Sequence, residues 1–159
     1  MKRVSAAIAA VIGIVSLPLH AQTFDRHREI EKASKQTLPA AAKQIEDNTD
    51  VKLTLTVDNE SFGNDAHAWS NLYIIANRVV GALSEVGRDQ MGKDAIEKSV
   101  KKIVIVKFNP TGEDDMVELK GQTVFVRTSA SDKAMTVLQN VIVAALEKAL
   151  PTGHPPPTP

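Results

Sequence analysis

Between residues 66 and 86 the apolar side chains recur at helical spacing for about six turns. At about 100° per residue, Trp69, Leu72, Tyr73, Ala76, Val79, Val80, Leu83 and Val86 fall on one arc. Asn71, Arg78 and Glu85 line the opposite side. A helix of this length with a one-sided apolar stripe must lie against a second layer, because its stripe gains stability only when covered. Gly87 marks where it stops, and a second helical stretch is expected over residues 93–100, after Gly92.

The second layer is legible as strands. In VKLTLTVD, residues 51–58, Val51, Leu53, Leu55 and Val57 alternate with Lys52, Thr54, Thr56 and Asp58. That period of two predicts a strand with one buried face. KKIVIVKF, residues 101–108, is apolar without a break from Ile103 to Val106, which suits a strand covered on both faces or at the centre of a sheet. NPTGEDD then forms a turn-rich acidic loop, and VELKGQTVFVRT reads as a hairpin turning at Lys120-Gly121. A last helix starts at Ser129-Ala130-Ser131-Asp132, whose side chains can accept from free backbone N–H groups, and runs to about Leu150. Its buried arc comprises Met135, Leu138, Val141, Ile142, Ala145, Leu146 and Ala149. Val137, Val143 and Ala144 widen that arc, so part of the helix is apolar almost all round and suits core burial or a docked partner.

The expected fold is therefore α+β. A roughly four-stranded, largely antiparallel sheet in β-α-β-β-β-α order carries two long helices on one face, with the last three strands as a meander. A helical N-terminal segment precedes it, with Ile30, Ala33, Leu38, Ala41 and Ile45 on one side and Pro39 opening a second short helix. The chain divides into a signal peptide over 1–21, the helical segment over 22–50, the α+β domain over 51–150 and a disordered proline-rich tail over 151–159.

The first division rests on MKRVSAAIAAVIGIVSLPLHAQTF. Lys2 and Arg3 precede an apolar run over residues 6–17, Pro18 breaks it, and Ala21 offers a small residue for cleavage. The run is shorter than the roughly 20 residues a membrane span needs. The expected location is periplasmic or secreted, with no membrane span after cleavage. The chain has no cysteine, so disulfides, thiol nucleophiles and thiolate metal sites are all excluded. It has 19 basic and 19 acidic side chains, and loss of Lys2 and Arg3 leaves a net charge of −2. No basic run exceeds Lys101-Lys102, which argues against a nucleic-acid partner. Aromatic residues are 4% of the chain, too few for a stacking platform. PTGHPPPTP at the end has the composition of a polyproline-like tail.

Chemistry-bearing residues concentrate in DNESFGNDAHAW, residues 58–69. Counted as a calcium loop from Asp58, it has glycine at the sixth place, Gly63, but Phe62 at the fifth and Trp69 at the twelfth, so the ligand ladder fails. A looser cation site could use Asp58, Glu60 and Asp65. Ser61, His67 and Asp65 supply the residue types of a hydrolytic triad without any nucleophile motif. His27, His67 and His154 share no helix at a spacing that would hold zinc. No phosphate loop or cofactor motif is present, so no cofactor is expected, and no residue is assigned as catalytic or as a metal ligand. The plainer account of the stretch is a strand end, a turn and a helix cap at Asn64 or Asp65.

These observations favour a small exported non-enzymatic binding protein. Its partner would be a protein of the envelope or a second copy of itself, and Ile74 and Val143 are the candidate contact residues. The alternatives are a small periplasmic hydrolase with a dispersed site, using His67 or His27 with Asp65 or Glu60, and a divalent-cation-binding protein using Asp58, Glu60, Asp65 and His67.

Overall fold

A computed structural model describes residues 28–150 of the 159. The proposed signal peptide, His27, His154 and the proline-rich tail lie outside the described residues.

The chain enters as a helix over residues 28–49, in two α-helical parts joined by a π-helical turn, Ala33–Thr37; the second part is α1, Leu38–Thr49. Pro39 explains the wide turn. It has no N–H to donate, and its ring crowds the carbonyl of Lys35, so the preceding turn loosens and Leu38 N–H reaches back five residues to the Ala33 carbonyl. Pro39 was expected to open a separate helix; instead the helix continues through it. Ala33, Leu38, Ala41 and Ile45 are buried along one side. Thr49 closes the helix, its hydroxyl donating to the Ile45 carbonyl and accepting from Val51 N–H, so this fully buried polar group is satisfied.

Strand β1, Thr54–Val57, follows, then a single helical turn α2, Asn59–Phe62, and the long helix α3, Ala66–Val86. Helix α4, Gln90–Ser99, leads into β2, Lys102–Lys107. A 3₁₀ turn, Glu113–Asp115, precedes the hairpin of β3, Val117–Lys120, and β4, Thr123–Thr128. Helix α5, Asp132–Ala149, ends the described fold.

The architecture is α+β, but the sheet is mixed. Its strand order is β1-β2-β4-β3. β1 runs parallel to β2, β2 runs parallel to β4, and only β3 and β4 are antiparallel. The expected meander is thus corrected: β3 does not pair with β2, because β4 lies between them. Two features of the chain account for this. The segment between β2 and β3 spans residues 108–116, long enough to cross to the far side of β4. The strand richest in apolar residues, KIVIVK, takes a central place, while β3, which carries Glu118 and Lys120, takes an edge. The hairpin itself forms at the expected place, with Gly121 at φ +58°.

Alternation then sorts the sheet into two faces. Leu55, Ile103, Ile105, Val124 and Val126 are all buried and join one core with α1, α3 and α5. On the other face Thr54 and Lys102 are exposed, and Thr56, Val104, Val106, Phe125 and Arg127 are half-buried. Among the described residues, no helix covers that face as the helices cover the first. The helix stripes also shift slightly from expectation. Ile75 is fully buried and Tyr73 is 62% exposed, because α3 packs against α1 as well as α5 and its buried arc turns toward both. In α5, Met135, Leu138, Ile142 and Leu146 form the buried line, while Ala149 is exposed.

Helix α4 is held close to the end of α3. Asp89 caps it by accepting from Gly92 N–H, and a Cβ on Gly92 would stand 1.8 Å from the Val86 carbonyl oxygen. That neighbour is backbone and cannot yield. Gly92→Ala should therefore cost about 3 kcal/mol, lowering the melting temperature by roughly 10 °C. Gly112→Ala is the control, since a Cβ there meets nothing within 4 Å. Thermal denaturation of the two variants checks this.

Candidate functional site

The stretch from Asp58 to Trp69 proves to be a joint between β1, β2 and α3. Asp58 caps α2, its carboxylate accepting from Glu60 N–H at 3.2 Å. Ser61 donates to the Asp58 carbonyl at 2.8 Å and accepts from Lys107 N–H at 2.9 Å, which ties the joint to the end of β2. Asp65 caps α3: one carboxylate oxygen accepts from Ala68 N–H at 3.0 Å and the other meets Lys107 Nζ at 2.5 Å. Phe62 and Trp69 pack ring to ring, with centroids 5.0 Å apart and planes 53° apart, and Trp69 Nε1 donates to the Gly63 carbonyl.

These partners decide what the residues can do. The Lys107 ammonium, with help from Ala68 N–H, holds the Asp65 carboxyl below its usual range. Asp65 is therefore occupied twice, and Ser61 is spent on two backbone partners. His67 is exposed, and its Nε2 lies 3.0 Å from Asn71 Nδ2, not beside a carboxylate. Asn71 in turn donates to the Ala130 carbonyl, linking α3 to the start of α5. Glu60 points into solvent. Among the described residues no three His, Asp or Glu side chains cluster as metal ligands would. Asp58, Glu60, Asp65 and His67 are thus close in sequence without converging on one point.

The residues singled out as contact surface differ in exposure. Ile74 is 40% exposed and follows the more exposed Tyr73 in the chain. Val143 is half-buried against the core. It lies one turn from Gln139, whose amide approaches Glu85 of α3, so Val143 belongs to the flank of α5 that faces α3.

The larger concave surface lies on the other flank of α5, and the sequence did not single it out. A groove of about 780 Å³ runs between α5 and the β3 edge. Val117, Leu119, Val137, Val141, Ala144 and Ala145 line it. Glu113 and Asp114 stand at one end and Lys148 lines it as well. Val137 and Ala144 were the signal: they widened the apolar arc of the helix toward this flank. A second groove, about 450 Å³, lies between the start of α1 and β1. No helix among the described residues is long and apolar enough to cross a membrane.

No protein-family model matches the chain, and neither a curated protein nor a solved structure matches it significantly. The functional reading therefore stands on surface geometry.

The Asp65 arrangement makes a pH-dependent prediction. A carboxyl with a lowered folded-state pKa contributes stability above its unfolded value, about 3.9, and that contribution is lost as pH falls through the folded value. Asp65→Ala should cost about 1 kcal/mol at neutral pH. The gap between variant and parent should narrow below about pH 4, where the parent loses the same interaction by protonation. Melting curves of both proteins from pH 7 down to the acid limit of folding measure it.

Proposed function

We propose that this protein is a small exported interaction protein, and that it holds an apolar segment of an envelope partner in the groove between α5 and β3. One observation carries the reading: a helix flank with exposed Ala144 and half-buried Val137 and Val141 forms the wall of the larger groove rather than packing fully into the core. A wide apolar arc on a helix needs either core or partner to cover it, and here the β3 side leaves it open.

The charges suggest what the segment looks like. Glu113 and Asp114 are exposed where they line the groove beside β3, so a basic residue next to the apolar stretch would be drawn to that end. Export rests on the positive start, the apolar run and Ala21, as read in the sequence. The hydrolase alternative gains nothing from the geometry around His67, whose nearest side-chain partner is an amide. The cation alternative gains nothing from Asp65, whose carboxylate already has a lysine and a backbone donor.

A photo-crosslinking amino acid at position 144, introduced in the native host, tests the reading. Irradiation should yield one stoichiometric adduct with an envelope protein. Ala144→Asp should reduce affinity capture of that protein at least about tenfold while leaving the melting temperature unchanged, because Ala144 is exposed. Capture that survives Ala144→Asp, or the absence of any adduct, would overturn the proposal.

A further inference from the structure

We infer that one end of the sheet, where β1 and β2 begin and the β3–β4 hairpin turns, is a docking surface for an anionic phospholipid bilayer. The inference does not depend on what the α5–β3 groove holds.

The first observation is a gathering of lysines that are scattered along the chain. Lys102 of β2 lies in register between Thr54 of β1 and Thr123 of β4, and Lys120 of β3 lies on the other side of Thr123. Side chains in such a row point to one face, here the face that the helices leave uncovered. Lys102 and Lys120 therefore stand two strand spacings apart, roughly 10 Å. Lys52 precedes β1 by two residues, on the same alternation as Thr54. Lys101 is tied in through its backbone, which accepts from Thr54 N–H and donates to the Gln122 carbonyl. The Gln122 amide in turn donates to the Lys98 carbonyl. All five lysines are exposed.

The second observation is that this charge is not used up. Lys101 serves the end of α4, its ammonium on the Glu97 carbonyl at 2.6 Å, and Lys120 pairs with Glu118. Lys52, Lys98 and Lys102 have no ion-pair partner among the described residues. Of the carboxylates beside them in the chain, Asp50 is held by Lys93 at 2.6 Å and Glu118 is shared between Lys120 and Arg127, which leaves Glu97. At the other end of the strands the sign reverses. Asp58 and Glu60 follow β1 there, and Glu113, Asp114 and Asp115 precede β3. A chain of zero formal net charge is thus polarised along its strands. Such a molecule turns its basic end to an anionic surface.

The third observation selects a bilayer as the occupant. A second copy joined face to face here would set the lysines against one another, which is costly. None of the five lines either groove, so they stand on an open surface and not around a cleft that would hold a single anionic chain. The next row up the same face is Thr56, Val104, Phe125 and Glu118, with Val104 and Phe125 half-buried. An acidic polypeptide would answer the lysines alone. A phospholipid surface answers both rows, its phosphates meeting the lysines and its less polar layer meeting Val104 and Phe125.

Co-sedimentation of the protein, purified from its host, with lipid vesicles tests this. The parent should bind vesicles of phosphatidylcholine and phosphatidylglycerol in equal parts but not vesicles of phosphatidylcholine alone, and added salt should weaken the binding. Lys52→Glu and Lys102→Glu should each reduce binding about tenfold. Both should keep the parent's melting temperature, because neither side chain is buried or ion-paired among the described residues. Lys133→Glu makes the same charge change at the start of α5, beyond the acidic end of the sheet, and should leave binding unchanged. A parent that ignores the mixed vesicles would overturn the inference, as would equal binding to phosphatidylcholine alone. A Lys133→Glu protein weakened as much as Lys102→Glu would do the same, since net charge and not this surface would then govern binding. A parent that binds soluble polyglutamate but not the mixed vesicles would overturn it too, and would assign the lysines to an acidic polypeptide.

Discussion

The parallel pairing of β2 with both of its neighbours is the constraint from which the rest follows. Parallel strands cannot be joined by a tight turn, so the chain must cross from one end of the sheet to the other between them. Between β1 and β2 that crossing is made by α3 and α4, and between β2 and β4 by the 108–116 segment together with β3. Ile103 and Ile105, both essentially inaccessible, sit at the middle of the covered face. Burying each contributes roughly 2–3 kcal/mol relative to exposure. With α3 and α5 both feeding that core, the opposite face keeps only half-buried Val104, Val106 and Phe125.

The same constraint explains why the chemically richest stretch is structural. A strand that pairs in parallel must turn away sharply at its end, and the turn leaves backbone donors to be satisfied. Asp58 and Asp65 each cap one of two successive helices, and Ser61 bonds back to β1 and across to β2. Lys107 completes the joint from β2. Acids, amides and hydroxyls are dense here because they are the side chains that accept from free N–H groups. Metal sites and triads draw on the same alphabet. Composition alone cannot separate the two uses; the direction of each hydrogen bond does.

Much of the fold was legible because it is written in short-range periodicity. The α3 stripe, the β1 alternation, the turn at Gly121 and the start of α5 all follow from residues within a few positions of one another. Strand order does not. VELK and TVFVRT announce a hairpin, but nothing local says on which side of that hairpin β2 will lie. Ile75 and Tyr73 show the same limit within a helix: a single arc assumes one neighbour, whereas α3 has α1 on one side and α5 on another. The α5 groove was half legible. Val137 and Ala144 signalled excess apolar surface, but only the placement of β3 at an edge turned it into a concavity. The expectation at Val143 looked to the opposite flank of the same helix.

The two borders of the sheet finally differ in how their exposure is managed. At β3 the outward side is a groove with a helix for one wall, and the strand carries Glu118 in contact with two cations. A second strand arriving there would have to displace or desolvate those charges, which is costly. At β1 no such cost exists. The strand has only threonines on its outer face and apolar residues on its inner one, beside uncharged Leu38, Pro39 and Ala42. What limits pairing at this edge is its length, only four residues. The two borders of this small sheet therefore differ in kind, a helix-walled groove beside β3 and an uncharged backbone edge at β1, and the difference is set by where its few charged strand residues fall.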